Sequence, residues 1–263
     1  MALTRRTFLQ NSAAAASWLA CANALPLRSL AETAAAPLRA WVTAPGRRFQ
    51  PLPVQQWQTT SASAGAGTVV IDPAQRFQSV LGFGGAFTDA SCWLFSRMEP
   101  QARASLMNEF FSPSGLGLSM GRTCIGASDY SRSAYTFDDS PTPDPDLKRF
   151  SIEHDRAYIL PTLREALRMN PEMFYFSTPW SPPAWMKTGD SILGGSMRKE
   201  YFGPYAEYFV KFIEGYRAEG VPVRGVTSQN EVDTDQNGRM PAALWGTGIR
   251  NQLRQALPRT GAP

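Results

Sequence analysis

From Val80 onward, short apolar runs alternate with longer stretches whose apolar residues recur every three or four positions. Val80–Phe83 is the first run, followed by Gly84-Gly85 and a helix-like stretch over Ala90–Phe110. Leu116–Cys124 reads as a second strand. Arg156–Arg168 reads as a helix with Ile159, Leu160, Leu163 and Leu167 at helical spacing. A third strand is expected at Met173–Thr178 and an amphipathic helix at Tyr205–Tyr216, with Phe209, Phe212 and Ile213 on one side. A fourth strand follows at Val221–Thr227 and a helix at Ala242–Leu257. Strand runs alternating with helical runs predict β/α units around a parallel sheet. A closed eight-stranded β/α barrel takes about 250 residues. Fewer remain from Val80 to Pro263, so the pattern predicts either an open α/β sheet or the first four units of a barrel.

The chain before Val80 reads differently. Residues 32–68 are rich in Ala, Pro, Gln, Thr and Ser, with strand-like scraps at Arg39–Thr43 and Gln55–Thr59. Thr68–Asp72 is a short strand stopped by Pro73. Three segments are therefore expected: a leader over 1–31, an irregular segment with edge strands over 32–78, and an α/β domain over 79–263. Within the leader, Thr4-Arg5-Arg6-Thr7-Phe8-Leu9-Gln10 resembles a twin-arginine export signal, and Ala13–Ala24 supplies its apolar region. The expectation is export to the periplasm or beyond.

Composition narrows the function classes. Hydrophobic content is 43% and charged content 18%, as in soluble globular proteins. No window of 18 apolar residues predicts a spanning helix. The net charge of +4 comes largely from Arg5, Arg6 and Arg28 in an acid-free leader. With no basic cluster elsewhere, nucleic acid is not an expected partner. His154 is the only histidine and reads as a polar residue at a helix start. Cys21, Cys92 and Cys124 make neither a zinc spacing nor a disulfide framework, and Cys92 and Cys124 are expected as free buried thiols. Gly82-Phe83-Gly84-Gly85-Ala86-Phe87 lacks the third glycine of a dinucleotide loop. No metal and no cofactor are expected.

Polar and aromatic residues gather where the strands end. The first strand runs into Gly84-Gly85-Ala86-Phe87-Thr88-Asp89, and the second into Arg122 and then Asp129-Tyr130-Ser131. The third leads to Pro179-Trp180-Ser181-Pro182-Pro183-Ala184-Trp185-Met186-Lys187, and the fourth to Asn230-Glu231. Such clustering at one end of successive strands is what the active face of a β/α barrel requires. Aromatic faces beside carboxylates and amides suit a sugar, whose C–H face stacks and whose hydroxyls need fixed partners. Plainer roles compete: Asp89 as a helix cap, Trp185 as packing, Arg122 and Asp129 as a structural pair.

Gly82-Phe83-Gly84-Gly85-Ala86-Phe87-Thr88-Asp89, the stretch from Ser177 to Lys187, and Ser228-Gln229-Asn230-Glu231 resemble, in this order, the glycoside hydrolase family 30 enzymes. These include glucosylceramidases and β-1,6-glucanases, and the resemblance runs from about Thr68 to about Leu257. It implies a (β/α)8 TIM-barrel type fold, here its first four units, with N-terminal strands belonging to a β-sandwich lobe. It implies a retaining glycosidase acting on a β-glucoside, β-glucan or glycolipid. By this resemblance Glu231 is the general acid/base and Asn230 binds the hydroxyl next to the anomeric carbon. Asp129 and Trp180 line the terminal-sugar pocket, and Arg122 contacts the nucleophile.

Retaining hydrolysis uses two carboxyl groups about 5–5.5 Å apart, and the acid must hold its proton near neutral pH. The family's nucleophile is a glutamate ending the seventh strand. No glutamate follows Glu231 here, and Asp233 and Asp235 lie on its own loop. The expectation is an N-terminal part of a catalytic domain, carrying the acid/base, lacking the nucleophile and inactive alone. A non-catalytic carbohydrate-binding module is the alternative. Open outer strands would favour self-association.

Overall fold

The computed structural model describes residues 38–57, 65–72 and 74–246. The Arg5-Arg6 leader, Cys21 and residues 247–257 of the expected helix at Ala242–Leu257 lie outside the described residues. The chain forms two compact units that divide between Arg76 and Phe77.

In the first unit, β1 (Trp41–Ala44) and β2 (Arg47–Pro51) make an antiparallel hairpin. Gly46, at φ +76°, makes the tight turn that joins them. Trp41 and Phe49 stack across the pair with ring centroids 5.7 Å apart. Of the strand expected at Gln55–Thr59, Gln55 bridges to Leu38, and residues 58–59 lie outside the described residues. Thr68–Asp72 is not a strand. Val69, Val70 and Ile71 are all more than 70% exposed, and high strand propensity does not substitute for a ladder partner.

The second unit carries four parallel strands in the order β3 (Gly84–Phe87), β4 (Met120–Cys124), β5 (Phe174–Thr178), β6 (Val223–Val226). Their neighbours in the sheet are their neighbours in sequence, as in successive units of a β/α barrel. The first strand lies later than Val80–Phe83. It pairs Gly84 with Met120 so closely that a Cβ at Gly84 would stand 1.7 Å from the Met120 carbonyl oxygen. Only glycine permits that approach at position 84, so the strand begins at Gly84 and the apolar run before it is left exposed.

The helix expected over Ala90–Phe110 is two helices, α1 (Asp89–Arg97) and α2 (Pro100–Phe111). Pro100 lacks an N–H and cannot continue α1, but it is well placed to open α2. Glu99 caps that start, its carboxylate accepting from the backbone N–H groups of Gln101 and Ala102. Likewise the stretch Arg156–Arg168 lies across a short α3 (Glu153–Arg156) and α4 (Ile159–Met169). The amphipathic helix is α5 (Phe202–Ala218), which buries Tyr205, Tyr208, Phe209, Phe212 and Tyr216.

Alternation along the strands sorts the two sheet faces. Phe87, Thr123, Tyr175 and Ser177 are buried. The Phe87 ring stacks on Phe111 of α2, and the Tyr175 hydroxyl donates to the Leu163 carbonyl of α4 at 2.8 Å. Met120, Arg122 and Phe176 alternate with them and, with Gly84–Ala86, line an open cleft of about 350 Å³ on the other face. Among the described residues no helix is long and apolar enough to cross a membrane.

The described part of the helix expected at Ala242–Leu257, residues 242–246, is not helical. Residues 241–246 form two isolated bridges and no helix. Pro241 and Leu244 bridge to Leu193 and Ser196, and the Ala242 N–H donates to the Ile192 carbonyl at 3.1 Å. Tertiary partners override helix propensity in this segment.

Candidate active site

The carboxyl ends of all four parallel strands open into one cavity of about 430 Å³. β3 and the turn after it supply Ala86 and Thr88. β4 supplies Arg122 and Cys124, and the loop after it Asp129 and Tyr130. Trp180 comes from beyond β5. The segment after β6 brings Asn230, Glu231, Gln236 and Met240. All five residues expected to carry chemistry, Arg122, Asp129, Trp180, Asn230 and Glu231, thus border one space.

Arg122 organises this wall. Its Nη2 donates to Asn230 Oδ1 at 2.7 Å and its Nε to Thr178 Oγ1 at 3.3 Å. Thr178 Oγ1 also accepts from Thr227 Oγ1 at 2.8 Å, so β4, β5 and the end of β6 are tied together in one line. The Arg122 guanidinium lies over the Trp180 ring, 4.6 Å from its centroid. Its partners are therefore an amide, a hydroxyl and an indole, and among the described residues no ion pair joins it to Asp129. Trp180 is only 7% exposed, so only a small part of the indole reaches the cavity. The Gln229 side-chain amide donates to the carbonyls of Trp180 and Asn230, and the Asn230 N–H donates to the Pro179 carbonyl at 2.9 Å. These bonds fix the loops after β5 and β6 against each other.

Glu231 is exposed and sits at φ +48°, a region few non-glycine residues occupy. The Gln236 amide donates to Glu231 Oε2. Described residues do not enclose the carboxylate. Asp235 caps the turn that follows, accepting from the Asn237 N–H at 3.0 Å. Cys92 and Cys124 are free, but only Cys92 is buried as expected; Cys124 is half-buried at the cavity wall. Burial raises both thiols, that of Cys124 to about 11. Neither is a thiolate near neutral pH.

Three plainer readings also resolve. Trp185 is packing: it is buried, and its Nε1 donates to the Asp138 carbonyl. Asp89 is not the helix cap. Thr88 is, in a reciprocal pair with Ser91, and the Asp89 carboxylate turns to other partners. His154 does lie in a short helix, where it stacks on Tyr135 with ring centroids 3.6 Å apart. Sequence reasoning did not single out Thr88, Tyr130, Gln236 or Met240. The first two lie within stretches already conspicuous at strand ends. Gln236 and Met240 carry no local signal and reach the cavity only because the chain turns back after Glu231.

The model for the glycosyl hydrolase family 30 TIM-barrel domain matches residues 80–250. The chain belongs to glycosyl hydrolase family 30. This family 30 chain is 36% identical over 196 residues to putative glucosylceramidase 4 of Caenorhabditis elegans, covering 72% of this chain and 37% of the relative. It is 32% identical over 205 residues to an endo-1,6-beta-D-glucanase of Neurospora crassa, covering 74% of this chain and 42% of the relative. Among solved structures, the endo-β-1,6-glucanase BT3312 superposes with a TM-score of 0.66 at 33% identity, covering 71% of this chain and 42% of that one. The family 30 chain thus spans about two fifths of the length of these relatives. Its four parallel strands are a partial (β/α) barrel of the family's fold.

Proposed function

We propose that this chain forms the terminal-sugar wall and the acid/base side of a retaining β-glycosidase of glucosylceramidase or β-glucanase type. The observation that carries the reading is the meeting of Arg122, Asp129, Trp180, Asn230 and Glu231 around one cavity at the strand ends. In this reading Glu231 donates a proton to the departing glycosidic oxygen and later takes one from water. Asn230, oriented by Arg122, meets the hydroxyl beside the anomeric carbon. Asp129 accepts from hydroxyls of the terminal sugar, and the exposed part of Trp180 contacts its C–H face. The carboxylates bordering the cavity are Asp129 and Glu231. With Asp129 engaged by the sugar, these residues place no nucleophile, and the chain by itself does not turn over. The substrate is a β-glucoside, β-glucan or glycolipid. The Arg5-Arg6 leader supports export by the twin-arginine route.

Calorimetry with β-linked gluco-oligosaccharides tests the reading. We expect saturable binding that Asn230→Ala weakens by about 1–3 kcal/mol, the cost of a lost polar contact that leaves a partner unpaired. Absence of binding by a folded chain would refute it. Glu231, open to solvent, equally fits a module that binds sugar without cleaving it. That alternative is favoured if the chain binds as a stable, folded monomer.

A further inference from the structure

Asp89 is 2% exposed, and the cap it might have provided is already made by Thr88. Burying a carboxylate is costly unless its oxygens are used. Oδ2 of Asp89 accepts from the Arg132 backbone N–H at 2.7 Å, and Oδ1 accepts from the Tyr158 hydroxyl at 2.5 Å. Next to it, the Ala90 N–H donates to the Tyr130 carbonyl at 3.0 Å. The start of α1 therefore grips the β4 loop twice, at Tyr130 and at Arg132, just beyond Asp129. Asp129 and Tyr130 border the cavity; Asp89 does not.

The grip is braced from behind. Among the described residues, the only ion-pairing side chain beside Asp89 is His154, whose Nε2 is 3.6 Å from Oδ1. The other ring nitrogen, Nδ1, is 3.0 Å from Oδ1 of Asp155, which is 1% exposed. Asp155 in turn accepts from the hydroxyls of Tyr135 and Tyr216. The single histidine of the chain thus stands between two buried carboxylates, one of which reaches the cavity loop.

We infer that Asp89 is a positioning residue: it holds the loop carrying Asp129 and Tyr130 in the posture that meets the ligand, and His154 braces it. The effect on ligand affinity rests on the glycosidase reading; the effect on the loop does not. In Asp89→Asn, the carboxylate's charge is lost while its size is kept. Amide hydrogen exchange on the full chain should then quicken about tenfold at Arg132 and its neighbours, as the loss of a charged hydrogen bond implies. Amides of the β4–β5 ladder, such as that of Thr123, should not change. Affinity for p-nitrophenyl β-glucoside should fall by about fivefold or more. If Asp89→Asn does not fold, Tyr158→Phe retains the carboxylate and should quicken the same amides by a smaller factor. Unchanged loop exchange, or exchange that rises equally through the core, would overturn the inference. So would unaltered affinity in a variant whose loop has loosened. If the wild-type chain does not bind the glucoside at all, the glycosidase reading fails and loop exchange alone decides the role of Asp89.

Discussion

Asp138 shows how much a single side chain can depart from what its type suggests. It is 1% exposed, and neither carboxylate oxygen has a hydrogen-bond partner among the described residues. Burial, and then the charge of Asp144, raise its pKa to about 6. Because the folded value lies above the ordinary one, the stabilising contribution is complete below about pH 4 and is lost as pH rises through about 6. We predict that Asp138→Asn removes this loss, so that the variant gains thermal stability over the parent at pH 7 relative to pH 4. Melting curves at both pH values check it, and an unchanged difference would contradict it. No sequence pattern distinguishes Asp138 from Asp139, which is spent on the Thr136 N–H and hydroxyl. Glu231 and Asn230 were legible because a polar tip followed an apolar run. Their orientation by Arg122 and Gln236 was not, because those partners lie far off in sequence or in an unmarked turn.

Among the elements, the strands and the helices packed against one sheet face were the most legible, and errors gathered where backbone partners decide. Pro100 divides a helix that periodicity joined, and the close β3–β4 approach selects glycine at position 84 over the apolar run before it. The bridged segment at 241–246 depends on Lys187, whose ammonium is fully buried and donates to Ser181 Oγ at 2.8 Å and to the carbonyls of Ile192 at 3.0 Å and Ala242 at 2.6 Å. It joins the loop after β5 to the segment that brings Met240 to the cavity. Burial lowers its pKa to about 7. A depressed folded value means that stability is complete above the ordinary range near 10.5 and is lost as pH falls through about 7. We predict that Lys187→Met, which keeps the packing but removes the N–H donors of the largely neutral amine, costs about 1–3 kcal/mol near pH 9. Its melting temperature should lack the rise between pH 7 and 10 that the parent shows. Denaturation across that range tests both statements; a parent with no rise would refute them.

At the scale of the molecule, four parallel strands in sequential order give one arc of a barrel, with its chemistry at the carboxyl ends. Alternation alone showed a parallel sheet built of β/α units, and the family resemblance chose a barrel over an open sheet. Less legible was how much apolar surface stays open. Phe77, Val80, Leu81 and Phe83 are all more than two-thirds exposed, and the sheet face at Met120 and Phe176 opens on a cleft. Exposed apolar surface beside unpaired strand edges promotes association. We expect the purified chain to self-associate in light scattering, and a monodisperse monomer with a cooperative melt would argue otherwise. The most direct measurement of all is turnover of an aryl β-glucoside by the purified chain and its Glu231→Gln variant. We predict no hydrolysis above background from either, because the proposed reading assigns these residues the acid/base and no nucleophile, and a retaining reaction uses both. Robust release by the parent, abolished in Glu231→Gln, would show that these residues form a complete catalyst and would contradict the proposal.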